Sequence, residues 1–417
     1  MIRVAFITSE LSHPMGKMMG GLGNVALEML KYLSGIPELS IYVFSLSTVS
    51  KREPFIQIDG NIRYHWFPEQ LYGDLKVDDF NSFMVKFNTH MTKYMLDTYL
   101  SKEQSFDIMH FHDWMVIRTM LNIRTPNIKK ILHMHSSEYG RNGNHYLPGE
   151  DFRSREKVFL EVSGCHDANL VVAVSKVFAD EIHQHMFVPR EKLIYLNNGM
   201  SFREWMVSTD HMNARRSIGL NDTDPVILFC GRLVYQKNPE LLLRAFIKAQ
   251  QVIPRARLIF LGDGHMKAEL EAIAQSACVW QTAVHFLGSV YGSRKIEWYQ
   301  TADVMVVSSF NEPFGLIVLE SLISKTPVMV CNNISPMGFL QKDHMIPFEP
   351  TIDDLASKMI SYLKNKPLLQ QMGEHGYNFV LENFNENVMG KGLYEIYKNI
   401  LDKPQIRTIR NNWIIGK

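Results

Sequence analysis

The sequence predicts two doubly wound α/β domains of similar size, and three observations carry that expectation. Short apolar strands alternate with helical stretches through the first half. A seam rich in turn formers follows, at Asn198-Gly199 and Asn221-Asp222-Thr223-Asp224-Pro225. The same alternation then restarts. Such alternation builds parallel βαβ units with helices on both faces, and 417 residues leave room for roughly two or three domains.

Taken in order, the first-half strands are Val4 to Thr8, Ile41 to Leu46, Ile108 to Phe111, Ile131 to His133 and Leu170 to Val174. Helical patterns between them run over Leu22 to Leu33, Phe80 to Leu100 and Lys176 to His185. After the seam, strands are expected at Val226 to Cys230, Leu258 to Leu261, Val284 to Leu287, Val304 to Val307 and Val328 to Cys331. Helices are expected at Leu241 to Gln250, Met266 to Ala277 and Leu316 to Ser324. The last forty or so residues read as amphipathic helix through Tyr377, Val380, Leu393 and Ile400. Pro404 closes that run, and Trp413-Ile414-Ile415 forms an apolar end. The expected domains are residues 1–205 and 206–380, with a helical tail at 381–417 crossing back to the first domain. Ligands of such sheets bind at the carboxyl ends of the strands, so the site is expected in the cleft between the domains.

Composition excludes several classes. Hydrophobic residues are 46% and charged residues 21%, the balance of an ordinary globular enzyme rather than a disordered chain. Lys+Arg 44 against Asp+Glu 43 leaves no basic footprint for nucleic acid. Cys165, Cys230, Cys278 and Cys331 are far apart and form no CxxC pair, so they read as buried thiols in a reducing compartment. Ile2-Arg3-Val4-Ala5-Phe6-Ile7 is too short for a signal sequence. No apolar run approaches the roughly 18 residues of a membrane span. A cytoplasmic protein is expected, with peripheral membrane contact left open. There is no low-complexity segment and no short internal repeat.

The most informative stretch is Glu312-Pro313-Phe314-Gly315-Leu316 with a second acid at Glu320. It follows a strand-like run and opens a helix-like one. Pro313 suits a first helical turn, and Gly315 lets a ligand approach the backbone. Amides at such a helix start attract phosphate, while two carboxylates there can take sugar hydroxyls. An acid pair alone would only flank an ordinary helix; the strand before and the helix after favour function. Gly231-Arg232-Leu233 follows the first strand of the second domain, with Lys237 close behind. A guanidinium and an ammonium together can clamp a diphosphate leaving group, although exposed Arg and Lys are usually only solvated. Gly20, Gly21 and Gly23 sit after the first strand, where a tight turn brings amides to a pyrophosphate.

His133 and His135 alternate on one strand, and His110 and His112 repeat the pattern ahead of Asp113-Trp114. Same-face HxH pairs also bind zinc in metal-dependent hydrolases. Against that, neither pair is followed by a His and Asp set of usual ligand spacing, and His183 and His185 diverge on a helix. His135 is the chosen functional histidine, with His112 second. Asp222 and Asp224 resemble a metal-binding D-x-D, but the turn before Pro225 explains them.

Together these residues resemble retaining nucleotide-sugar glycosyltransferases of the GT-B fold, of the glycogen-synthase-like and family 4 types. The similarity covers most of the chain. It runs from Ser9-Glu10 and Gly20-Gly21-Leu22-Gly23 through His112-Asp113-Trp114, His135, Ala173-Val174-Ser175 and Asn198-Gly199. It continues through Gly231-Arg232-Leu233, Lys237 and Gly262-Asp263-Gly264 to the Glu312–Glu320 string. The resemblance implies two Rossmann-like domains. It also implies transfer of a hexosyl group from a nucleoside-diphosphate sugar to a carbohydrate or small hydroxyl acceptor, with no metal and no cofactor. By that resemblance His135 touches the donor sugar near its 6-hydroxyl, and Arg232 and Lys237 hold the diphosphate with the amides of Gly315 and Leu316. Glu312 takes sugar hydroxyls and Glu320 the ribose. An HxH-type metal-dependent hydrolase and a GT-B nucleotide-sugar epimerase remain the alternatives.

Some residues depart from that family's pattern. Met18 stands where glycogen synthases carry a lysine, with Lys17 one place earlier, and Asn24 replaces an Asp. Lys325 stands where relatives commonly have Gly. These departures argue against polymer elongation from ADP-glucose. The segment from His135 to Glu161, with Tyr139-Gly140-Arg141-Asn142-Gly143, is expected to shape the pocket of a smaller acceptor.

Overall fold

The computed structural model describes residues 1–17, 20–73, 79–101, 105–146, 151–207 and 211–402. Met18, Pro404 and Trp413-Ile414-Ile415 lie outside the described residues. The chain divides into two units. One comprises Met1–Glu138, Tyr146–Met200 and the described residues from Glu386 onward; the other comprises Tyr139–His145 and Ser201–Asn385.

The first unit holds β1 (Ile2–Ile7), β2 (Leu39–Ser47), β3 (Phe55–Asp59), β4 (Ile62–Pro68), β5 (Ile108–His112), β6 (Lys129–Met134), β7 (Leu170–Ala173) and β8 (Leu193–Tyr195). They form one sheet in the order β3-β4-β2-β1-β5-β6-β7-β8. Pairing is parallel throughout except at β3–β4. Central strands of such a sheet are covered on both faces, which is why Val4 to Ile7 of β1 form an unbroken apolar run and are fully buried. The β3–β4 hairpin was not expected. Its signal is Asp59-Gly60, a dipeptide suited to a tight turn, with Gly60 at φ 58°.

The second unit holds β9 (Val226–Cys230), β10 (Arg257–Leu261), β11 (Val284–Phe286), β12 (Val304–Val307), β13 (Val328–Cys331) and β14 (Met345–Phe348). These six strands are all parallel, in the order β11-β10-β9-β12-β13-β14. Both sheets therefore reverse their winding once. In the first the reversal lies between β1 and β5, and in the second between β9 and β12. The carboxyl ends of strands flanking such a reversal form a crevice that takes ligands.

The helix Glu386–Asp402 returns to the first unit and packs on the helix Leu22–Ser34. The fit is close: a Cβ at Gly390 would lie 2.1 Å from Cγ of Tyr32. Three of the four cysteines are buried, but Cys278 is exposed, contrary to expectation. It occupies a left-handed turn (φ 57°) just beyond the helix Lys267–Ser276. Among the described residues no helix is long and apolar enough to cross a membrane.

Candidate functional site

In the second unit the turn after β9 begins at Gly231, with φ 154°. It meets the turn after β10 backbone to backbone, since a Cβ at Gly262 would lie 1.9 Å from the Gly231 carbonyl oxygen. Arg232 leaves this turn exposed, and its side chain has no hydrogen bond or ion pair among the described residues. Lys237 closes a single helical turn, Tyr235–Lys237, ahead of a left-handed Asn238 whose side chain caps the next helix at Leu241. The loop after β12 is laced onto that turn. Ser308 donates to the Lys237 carbonyl at 3.0 Å, and the Phe310 amide to the Gln236 carbonyl at 2.9 Å. This lacing brings Lys237 Nζ to within 2.5 Å of Glu312 Oε2, and Ser309 donates to the same oxygen at 3.3 Å. Both side chains are largely buried, at 16% and 10% exposure.

Gly315 then adopts φ 89° and ψ 64° as the N-cap of the helix Leu316–Ile323. A Cβ there would lie 3.1 Å from Cγ of Glu312 and 3.2 Å from Cγ of Pro336. No side chain caps this helix start. The Val318 amide donates to the Gly315 carbonyl at 2.9 Å, which leaves the amides of Leu316 and Ile317 for an anion, a partner the helix dipole also favours. Glu320, farther along the same helix, accepts from Lys295 Nζ at 2.6 Å and from the Tyr299 hydroxyl at 2.8 Å. Burial works against the Lys295 ammonium, but Glu320 and Cys230 outweigh it and raise its pKa. Burial, with Cys230 and Glu320, holds the Tyr299 hydroxyl well above its usual range. Burial also pushes the Cys230 thiol up to about 11. Lys295 and Tyr299 were not singled out from sequence. Reading Gly292–Thr301 as a helix would have placed them one turn apart on a common face.

Tyr139–His145 belongs to this second unit although it follows β6. Asn144 donates to the Phe310 carbonyl at 2.7 Å and accepts from Asn311 at 2.8 Å. A Cβ at Gly140 would strike the Asn311 side chain at 2.5 Å, and one at Gly143 (φ 75°) would meet the Tyr235 ring at 2.7 Å. The segment expected to shape an acceptor pocket thus lies against the residues that immediately precede Glu312.

The first unit carries the other expected residues. Gly21 is the N-cap of the helix Leu22–Ser34, which also lacks a side-chain cap. Yet a Cβ at Gly20 would sit 3.8 Å from a carboxylate oxygen of buried Glu10. Gly20, Gly21 and Gly23 thus lie at the start of this helix, beside the Glu10 carboxyl. Lys17 is ion-paired with Glu69. His112 Nδ1 lies 3.2 Å from His135 Nε2, and burial drops the His135 pKa to about 3. His110, His112, His133 and His135 form one stack: the two HxH pairs, read separately in sequence, face each other across β5 and β6. Asp224 lies outside either group, bound by Arg255 at 3.0 Å and Arg257 at 3.4 Å.

Comparison with known proteins gives a consistent picture. The model described as Glycosyltransferase Family 4 matches residues 19–203, and the model described as Glycosyl transferases group 1 matches residues 210–379. An uncharacterised glycosyltransferase of Methanocaldococcus jannaschii is 35% identical over 234 residues, a stretch covering 54% of this chain and 57% of the relative. A D-inositol 3-phosphate glycosyltransferase of Xylanimonas cellulosilytica is 25% identical over 340 residues, covering 78% of this chain and 79% of the relative. Among solved structures, sucrose-phosphate synthase from Thermosynechococcus elongatus superposes with a TM-score of 0.75 at 18% identity. That match covers 96% of this chain and 99% of that one, and at such identity it speaks to the fold. The matches favour transfer over the hydrolase alternative.

Proposed function

From a chain that belongs to the GT-B glycosyltransferases, with a family 4 first domain and a group 1 second domain, we propose a retaining, metal-independent hexosyl transfer. The donor is a nucleoside-diphosphate sugar and the acceptor a hydroxyl on a carbohydrate or small molecule. One observation supports this above the others. At the winding reversal of the second sheet, unpaired Arg232, the Lys237–Glu312 pair and an uncapped helix start at Gly315 stand on adjoining strand-end loops.

In this reading Arg232 and the amides of Gly315 and Leu316 take the diphosphate. Lys237 divides its charge between Glu312 and the departing phosphate. Cleavage of the anomeric bond leaves an oxocarbenium-like sugar and a growing negative charge on the leaving group. Preorganised cations and amides stabilise that charge as it develops, without a divalent ion. Glu312 binds donor-sugar hydroxyls, and its carboxylate favours the cationic centre. Glu320, fixed by Lys295 and Tyr299, is the ribose ligand. His135, by its resemblance to the family motif, is a sugar-hydroxyl ligand.

The test is a panel of nucleotide sugars in thermal unfolding, since a ligand specific to the folded state raises apparent stability, followed by turnover with the donor found. Turnover unchanged by added Mg²⁺ or Mn²⁺, and by brief EDTA treatment, is expected. Activity that appears only with an added divalent ion, or stabilisation by no nucleotide sugar, would overturn the reading.

A further inference from the structure

The four stacked histidines of the first unit leave an unusual set of nitrogens without partners. His110 and His112 share one face of β5, His133 lies on β6, and His112 is in register with His133. All three are fully buried. Nε2 of His110, Nε2 of His112 and both ring nitrogens of His133 have no hydrogen-bond partner among the described residues. Buried polar atoms are nearly always paired, and exceptions call for a physical reason such as a water or an ion.

The outer nitrogens point to an ion. A ligating imidazole typically gives one nitrogen to the metal and anchors the other on a neighbour. His110 Nδ1 lies 2.7 Å from the Tyr397 hydroxyl, and His112 Nδ1 lies 3.2 Å from His135 Nε2. In both rings the anchored atom is Nδ1 and the orphan is Nε2. Ring centroids are 4.1 Å apart for His110–His112, 5.5 Å for His110–His133 and 5.4 Å for His112–His133. Three imidazoles around one tetrahedral ion place their centroids about 5 Å apart, given Zn–N bonds of about 2.0–2.1 Å. One nitrogen from each ring already lies within 4.8 Å of the others. Ligation draws them to about 3.4 Å, a change that rotation about the side-chain bonds supplies.

We propose that Nε2 of His110, Nε2 of His112 and a ring nitrogen of His133 bind one borderline divalent transition-metal ion, of the Zn²⁺ class, as a structural site in the first unit. Three imidazoles with no carboxylate among them suit Zn²⁺, Co²⁺ or Ni²⁺ and not Mg²⁺ or Ca²⁺. Through Tyr397 the site ties β5 and β6 to the returning helix Glu386–Asp402. It is enclosed, so it loads during folding and takes no part in the transfer chemistry. The third ligand thus comes from the second HxH pair across the sheet, and His135 of that pair anchors His112.

The full-length protein, unfolded in guanidinium with chelator and refolded in metal-free buffer, is titrated with Co²⁺ or Zn²⁺. The expected result is one ion per chain, visible d–d bands of four- or five-coordinate Co²⁺, a nitrogen-only protein shell by X-ray absorption, and a rise in unfolding temperature with Zn²⁺. His133→Phe and His110→Gln should lose stoichiometric binding, while a His185→Ala control retains it. The wild-type measurement decides even where a variant fails to fold. Refolded wild type that takes up no stoichiometric ion, or a folded His133→Phe, His110→Gln double variant that binds one ion as before, would overturn the proposal.

Discussion

Glu312 separates charge from hydrogen bonding at a single carboxylate, because Lys237 and Ser309 both address its Oε2. Glu312→Gln keeps much of the geometry and removes the charge. Turnover should fall far more than donor affinity, the pattern of an interaction made in the transition state; equal losses in kcat and donor binding would assign Glu312 to ground-state binding. Glu320→Gln should instead weaken nucleoside-diphosphate binding, since it loosens a carboxylate held by Lys295 and Tyr299. Arg232→Ala or Lys237→Ala should cost about 10²–10³ in kcat, the range for removing one preorganised stabiliser. Near-normal turnover in both, with folding intact by circular dichroism, would return the pair to the surface. A pH effect follows at His65, whose ring nitrogens lie 3.0 Å and 2.9 Å from the hydroxyls of Tyr94 and Tyr99. Burial, with Arg63, holds its pKa down to about 3, against about 6.5 in an unfolded chain. Between those values the unfolded chain binds the proton and the folded one does not. The contribution of His65 is therefore present above pH about 6.5 and is lost toward pH 3, at up to about 1.4 kcal/mol per pH unit. Denaturant unfolding from pH 7 to pH 5 should show a shallower slope for His65→Gln than for wild type.

At the scale of elements, glycines mark where helices and turns are forced together. Gly315→Ala places a methyl at φ 89°, 3.1 Å from Glu312 Cγ. The expected cost is about 1 kcal/mol of stability but a larger loss of nucleoside-diphosphate affinity by calorimetry, because the helix start and Glu312 both shift. Equal affinity for wild type and variant would remove this helix start from the donor site. Gly390→Ala should lose about 1–3 kcal/mol to overpacking against Tyr32. Combining it with Tyr32→Ala should cost less than the sum of the single changes, since the two residues share one contact. Lys325 shows why a departure from a family pattern need not change structure. It takes φ 61° at the end of the helix Leu316–Ile323, the conformation for which Gly is favoured. Its ammonium is engaged by Glu374 at 2.8 Å and lies over the Tyr377 ring.

For the whole molecule, the parallel sheets were legible because buried strands read as apolar runs at helix-spaced intervals, as β9, β12 and β13 do. The residues from Glu312 to Glu320 were legible because strand, Gly and helix start lie together in sequence. Contacts made only on folding were not: Lys295 and Tyr299 on Glu320, Asn144 on Asn311, and one HxH pair on the other across β5 and β6. Stereochemistry is the property of the whole catalyst that these contacts bear on most directly. Double displacement requires a free carboxylate to attack the anomeric carbon, with two carboxyl groups about 5–5.5 Å apart in the usual retaining hydrolase arrangement. Here Glu312 is committed to Lys237 and Glu320 to Lys295 and Tyr299. Under the retaining transfer proposed above, with both acids held by these partners, the acceptor approaches on the face from which the diphosphate departs, and the leaving group takes the acceptor proton. An α-linked donor should therefore give an α-linked product, read from the anomeric coupling constant by NMR before any mutarotation. A β-linked product from an α-donor would overturn the mechanism even if every binding assignment held. A glycosyl-enzyme adduct found by mass spectrometry would instead restore double displacement, with a nucleophile other than these two acids.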